Sequence, residues 1–97
     1  SGDDKAKVIQ LNALLADQFR NLLLVKAATA SSVPDSEILM RTGWKPGRLS
    51  ILKRASGGFN EKSLLGLMQK LEALDIEMKT SSMPPRVLVD MICAQIN

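Results

Sequence analysis

Glu72 and Asp75 stand one helical turn apart, and carboxylates at that spacing could share a hard cation. They lie opposite a leucine stripe and among lysines, which is the setting of a solvated helix face. Asp75 and Lys79 also have the i,i+4 order that favours a surface ion pair, worth a few tenths of a kcal/mol. Gly57-Gly58, the one adjacent glycine pair, lacks the spacing of a phosphate cradle and follows a helical pattern rather than a strand. Cys93 is the sole cysteine, so one chain can build neither a disulfide nor a cysteine-ligated zinc site. Its apolar helical setting predicts a small buried hydrophobe. The chain has no histidine and no tyrosine, which removes the commonest general base and a frequent general acid. These residues predict no catalytic, metal or cofactor site.

Charge is more informative when mapped than when summed. Between residues 41 and 62 lie Arg41, Lys45, Arg48, Lys53, Arg54 and Lys62 against the single anion Glu61, so a segment of charge +5 sits in a chain whose remainder sums to −2. A helix, a glycine-containing turn and a basic second helix have the outline of a helix-turn-helix that could rest on phosphate or enter a major groove. Against that reading, the second helix offers few Asn, Gln or Ser side chains for base edges, and a net charge of +3 is modest for a freestanding DNA binder. A solvated basic face, or one that meets an acidic partner, accounts for the segment better. Trp44, the only tryptophan, lies in the turn and would either plug the core or anchor an interface.

The elements that must carry these residues are all helical. From Asp3 to Ala30 the apolar positions Val8, Leu11, Leu15, Phe19 and Leu22 recur at helical spacing, widened by Leu14, Leu23 and Val25. Leu22-Leu23-Leu24-Val25 is apolar around most of the helix and calls for more than one covering neighbour. A breaker at residues 30–36 leads into a short helix from about Asp35 to Thr42, ended by Gly43. Pro46 opens a third helix with Leu49, Ile51, Leu52 and Ala55 as its apolar set, and Gly57-Gly58 stops it. Asn60 is a good N-cap for a fourth helix, with Phe59 and Leu64 spaced as a hydrophobic staple. Leu64, Leu67, Met68, Leu71, Leu74 and Met78 form its core face, which fades near Ser81-Ser82. Met83-Pro84-Pro85 restarts the chain into a last helix with Leu88, Met91, Ile92, Gln95 and Ile96. The fold expected is all-α, a compact five-helix bundle with a long first helix.

At 97 residues the chain suits a single helical domain over residues 3–97, while Ser1-Gly2 reads as the scar of a cleaved tag on a piece of a longer protein. No apolar run approaches the roughly 18 residues of a membrane span. The lack of a disulfide framework favours a cytoplasmic setting.

In their order and separations, several groups of residues resemble a known family. They are Gln18-Phe19-Arg20, Gly43-Trp44-Lys45-Pro46-Gly47-Arg48, Leu49-Ser50-Ile51-Leu52-Lys53-Arg54-Ala55, Phe59, and the run from Leu71-Glu72-Ala73-Leu74-Asp75 through Ile76-Glu77-Met78-Lys79-Thr80. From about Leu14 to Ile96 the chain resembles the carboxy-terminal collar domain of the delta subunit of the bacterial DNA polymerase III clamp loader. Ser81 stands where that family commonly has glycine, and Gly57-Gly58 replaces more basic residues. The resemblance implies an oligomerisation module with no catalytic activity. One such domain from each of five loader subunits, including gamma/tau and delta prime types, packs into a ring, and the sliding clamp is reached only through amino-terminal domains not in this sequence. It also implies lateral interfaces, for which Phe19, Leu23, Trp44, Met91 and Ile96 are the candidates. Arg41, Lys45, Arg48, Lys53 and Arg54 form a candidate basic face toward a subunit or, weakly, DNA. A helix-turn-helix-like DNA-binding domain using residues 41–62 is the alternative.

Overall fold

A computed structural model describes residues 2–80 and 82–96, so the expectations for Ser1 and Ser81 lie outside the described residues. Five helices run in chain order: α1 (Gly2–Ala30), α2 (Asp35–Thr42), α3 (Pro46–Ser56), α4 (Glu61–Thr80) and α5 (Pro85–Ile96). At about 1.5 Å per residue, α1 alone spans roughly 44 Å, close to the 46 Å long axis of the molecule. The remaining helices pack along it. The bundle is therefore drawn out, with a radius of gyration of 15.4 Å against roughly 12.5 Å for a compact chain of this length.

Local sequence explains where each helix stops. Past the end of α1, Ser32 takes a left-handed conformation with φ 58°, its N–H bonded to the Thr29 carbonyl, while the Val33 N–H reaches back to Ala28. This is a Schellman closure with serine where glycine is usual. Gly43 closes α2 with the simpler left-handed cap, at φ 74° and with its N–H donating to the Leu39 carbonyl. Pro46 occupies the first turn of α3, where a missing N–H costs nothing. At the other end of α3, Lys26 of α1 donates to the Ser56 carbonyl at 3.1 Å, so a neighbouring helix supplies the C-terminal cap. Asn60 caps α4 through its Oδ1, which accepts from the Ser63 N–H at 2.7 Å.

Two apolar clusters share α1 and the antiparallel α4. The first joins Val8 and Ala16 of α1, Leu71, Leu74 and Met78 of α4, and Leu88 and Ile92 of α5. The second joins Leu22 and Val25 to Ile38 of α2, Leu49 and Leu52 of α3, and Leu64 of α4. Phe19 packs against both. Its ring meets Phe59 edge-on, with centroids 6.2 Å apart, so Phe59 serves this aromatic pair at the mouth of α4.

Several sequence expectations need correction. Leu11 and Leu14 are 45% and 54% exposed. The buried positions of α1 are instead Val8, Asn12, Ala16, Leu22 and Val25, a line that changes side along the helix because its first half packs in the cluster with α5 and its second half in the cluster with α2 and α3. On α3, Ile51 and Ala55 face solvent, and the inner positions are Leu49, Leu52 and Ser56. Cys93 is exposed rather than buried, since the inward face of α5 is already set by Leu88 and Ile92, a turn apart.

Candidate functional site

The basic segment folds into α2, the turn Gly43-Trp44-Lys45, and α3. Its charges are partly spent within the chain. Arg41 pairs with Glu37 one turn earlier at 2.9 Å, and Lys53 of α3 pairs with Asp35 of α2. The Arg48 guanidinium lies over the Trp44 ring, 5.2 Å from its centroid, a cation–π contact that holds both side chains at the start of α3. Trp44 is half-buried against the Ile38–Leu49 cluster. Lys45 and Arg54 are exposed. Among the described residues the basic face thus combines two neutralised cations, one stacked cation and two solvated ones.

The apolar interface candidates take different places. Phe19 and Leu23 are half-buried, the first bridging both clusters and the second packed on the Leu22–Leu64 cluster. Met91 packs half-buried against the Leu71–Leu88 cluster, and Ile96 remains 40% exposed at the end of α5. The structure does not gather these five into one patch: Trp44 and Leu23 pack against one cluster, Met91 against the other. Larger exposures occur at positions that the sequence did not mark as interface candidates: Met40 at 78%, Ile51 at 66% and Ile76 at 67%.

A third surface escapes pattern reading because its floor is polar. Asn12 of α1 is fully buried, and its Nδ2 donates to the Leu71 carbonyl of α4 at 2.7 Å. Its Oδ1 is buried with no hydrogen-bond partner among the described residues. Asn12 lines a groove of about 340 Å³ between α1 and α4, whose walls include Ala13, Ala16 and Ile76. Arg20 bridges the rim, donating to Glu72 across the helices at 2.5 Å and to Asp17 on its own helix. The hydrogen bond to Glu72 is the main cause holding the Arg20 guanidinium above its ordinary range, reinforced by Asp17 and opposed by desolvation. Lys79 pairs with Asp75 at 2.8 Å. Glu72 and Asp75, spaced in the sequence as if for a cation, are thus engaged by Arg20 and Lys79. The signal available in sequence was Asn12 itself, a polar residue four positions after Val8 and four before Ala16 on the buried seam.

Among the described residues no group of three or more His, Cys, Asp or Glu side chains is placed to hold a metal, and no helix is long and apolar enough to cross a membrane. The fold and its surfaces define an all-helical bundle domain whose charged side chains pair within and between its helices. Family comparison is specific: the chain belongs to the family of carboxy-terminal domains of the DNA polymerase III delta subunit, and the model of that family matches residues 3–96. No curated protein and no solved structure gives a significant match. Membership makes this a domain of a clamp-loader protein, not itself catalytic, that associates with other clamp-loader components.

Proposed function

We propose that this domain is the collar module of the delta subunit: it packs laterally against the helical domains of gamma/tau-type and delta prime-type subunits and so holds delta in the loader that places the sliding clamp on DNA. The observation that carries this reading is the amount of surface left uncovered. The chain exposes 6296 Å², against roughly 5,500 Å² for a globular monomer of its mass. Leu11, Leu14, Met40, Ile51 and Ile76 are each at least 45% exposed. Scattered apolar residues are ordinary on any surface, but an elongated bundle with this much residual area supports burial against neighbours, for which stable interfaces use about 800 Å² per partner. Clamp contact belongs to amino-terminal domains of the whole subunit, and the setting is cytoplasmic.

The test is size-exclusion chromatography of this chain mixed with each of the other loader subunits. Co-elution with one or more supports the collar reading, and separate elution from all of them overturns it.

A second reading, DNA contact through the basic segment, is favoured by the solvated Lys45 and Arg54 beside the Trp44–Arg48 stack. It requires an affinity for duplex or single-stranded DNA that falls steeply with salt. Affinity that is lost on Lys45→Ala with Arg54→Ala supports it, and the absence of salt-sensitive binding removes it.

A further inference from the structure

We infer that the groove between α4 and the end of α5 receives an acidic segment of a neighbouring clamp-loader protein, its carboxylates taken by Lys62 and Lys70 and its backbone lying close to Gly66. The inference rests on the collar reading and adds to it the face used and the charge of the segment that fills it.

Charge identifies the occupant. The groove is open to solvent, holds about 490 Å³, and is lined by both lysines and by no carboxylate. Lys62 and Lys70 are exposed and stand about 12 Å apart along α4 at 1.5 Å per residue. Elsewhere Arg20, Arg41, Lys53 and Lys79 each pair with a carboxylate of the chain itself. The two lysines of the groove form no ion pair among the described residues. Sequence gives the reason: the positions three and four residues to either side of each, where a helix would pair it, hold no acidic residue. The Ser63 hydroxyl and the Gln95 amide, also in the lining, can donate to the same acceptors. A carboxylate is thus the group this face is equipped to take, through charge-assisted hydrogen bonds.

Gly66 sets how close the occupant comes. It lies inside α4, four residues from each lysine, where glycine weakens a helix relative to alanine. Apart from the backbone of its own helix, no atom of the chain lies within 4 Å of the place a Cβ would take, so packing within the fold does not call for the missing methyl. The gap opens outward between the two cations and lets a second backbone approach. Leu67 and the 40% exposed Ile96 supply apolar lining beside it. A polypeptide can cover those carbons with its own side chains while presenting carboxylates to the lysines. A phosphate backbone brings the charge without the apolar cover.

The test titrates three versions of the 97-residue chain against the other loader subunits, with single- and double-stranded oligonucleotides in parallel: wild type, Lys62→Gln combined with Lys70→Gln, and Gly66→Ala. Circular dichroism melts of each free chain show that it is folded. The lysine double variant is expected to melt within about 4 °C of wild type. Its affinity for whichever subunit wild type binds should fall at least about tenfold, with a shallower salt dependence. Gly66→Ala is expected to melt about 4–8 °C higher, yet to bind at least about fivefold more weakly because its methyl fills the gap. A folded lysine variant that binds as tightly as wild type overturns the inference and leaves the collar reading intact. Weaker binding by the lysine variant with none lost on Gly66→Ala overturns the close approach proposed here. Oligonucleotide binding that the lysine variant abolishes, with subunit affinity unchanged, assigns the face to nucleic acid and overturns the inference as well. A wild-type chain that binds no other protein of the loader removes the collar reading and this inference together.

Discussion

Leu71→Ala tests whether the two clusters form one cooperative core. Leu71 is fully buried in the first cluster among Leu74, Met78, Leu88 and Ile92. The substitution removes three carbons, worth about 2.4 kcal/mol at roughly 0.8 kcal/mol per buried methylene. The cavity left behind raises the cost to about 3–5 kcal/mol. The Asn12 hydrogen bond is to the Leu71 backbone carbonyl and survives the change. For a domain of this size, with a total stability of about 5–15 kcal/mol, the loss takes a large share and lowers the melting temperature by roughly 15–30 °C. Urea unfolding should be followed by circular dichroism and by the fluorescence of Trp44, the only tryptophan, which packs in the other cluster. Coincident transitions shifted equally by the mutation are expected, because Phe19 and the continuous α1 and α4 tie the clusters together. Ile76→Ala on the same helix, at 67% exposure, should cost under about 0.5 kcal/mol. A Leu71→Ala loss below about 1 kcal/mol, or a fluorescence transition that stays at the wild-type midpoint, refutes the single-core account.

Three further outcomes follow from local geometry. Ser32→Gly should stabilise the chain by about 1 kcal/mol, because it relieves the left-handed strain at φ 58° by more than the glycine adds in unfolded-state entropy; a melting temperature unchanged or lowered contradicts it. Asn60→Ala should cost about 1 kcal/mol by removing the 2.7 Å cap of the Ser63 N–H, visible as a lower urea midpoint at constant slope. Cys93, exposed on α5, should react stoichiometrically with a chromogenic disulfide reagent in native buffer, and protection until unfolding would place it inside.

Helix boundaries were legible because their causes are local. Gly43 past the end of α2, Pro46 in the first turn of α3 and Asn60 before α4 each act within four residues of the element they delimit. The buried face of α4 was legible too, since Leu64, Leu71, Leu74 and Met78 sit on one stripe with polar residues opposite. On α1 and α3 the same method put Leu11, Leu14 and Ile51 inward, where the structure turns them out. Both helices have more apolar residues than their neighbours can cover, and periodicity counts residues without knowing how wide a face the partners subtend. Cys93 failed for the converse reason: α5 packs chiefly on α1 and α4, so an apolar-looking position on its far side has nothing to pack on.

Asn12 shows the other limit. A hydrophobic pattern treats it as an interruption of the stripe, and the expected outcome for an interruption is exposure. It is instead buried because the turns on either side, Val8 and Ala16, commit that line of α1 to α4, and the helix cannot rotate one position out without withdrawing its neighbours. The Leu71 carbonyl then offers the one acceptor at hand for the amide, and nothing among the described residues offers a donor for the oxygen. An apolar residue would fill this position without that cost. Asparagine at position 12 therefore sets the cost of a buried oxygen against a hydrogen bond that fixes α1 on α4. The exposed leucines and isoleucines differ from it in kind: they report apolar area left uncovered, whereas Asn12 reports how tightly α1 and α4 are held in register.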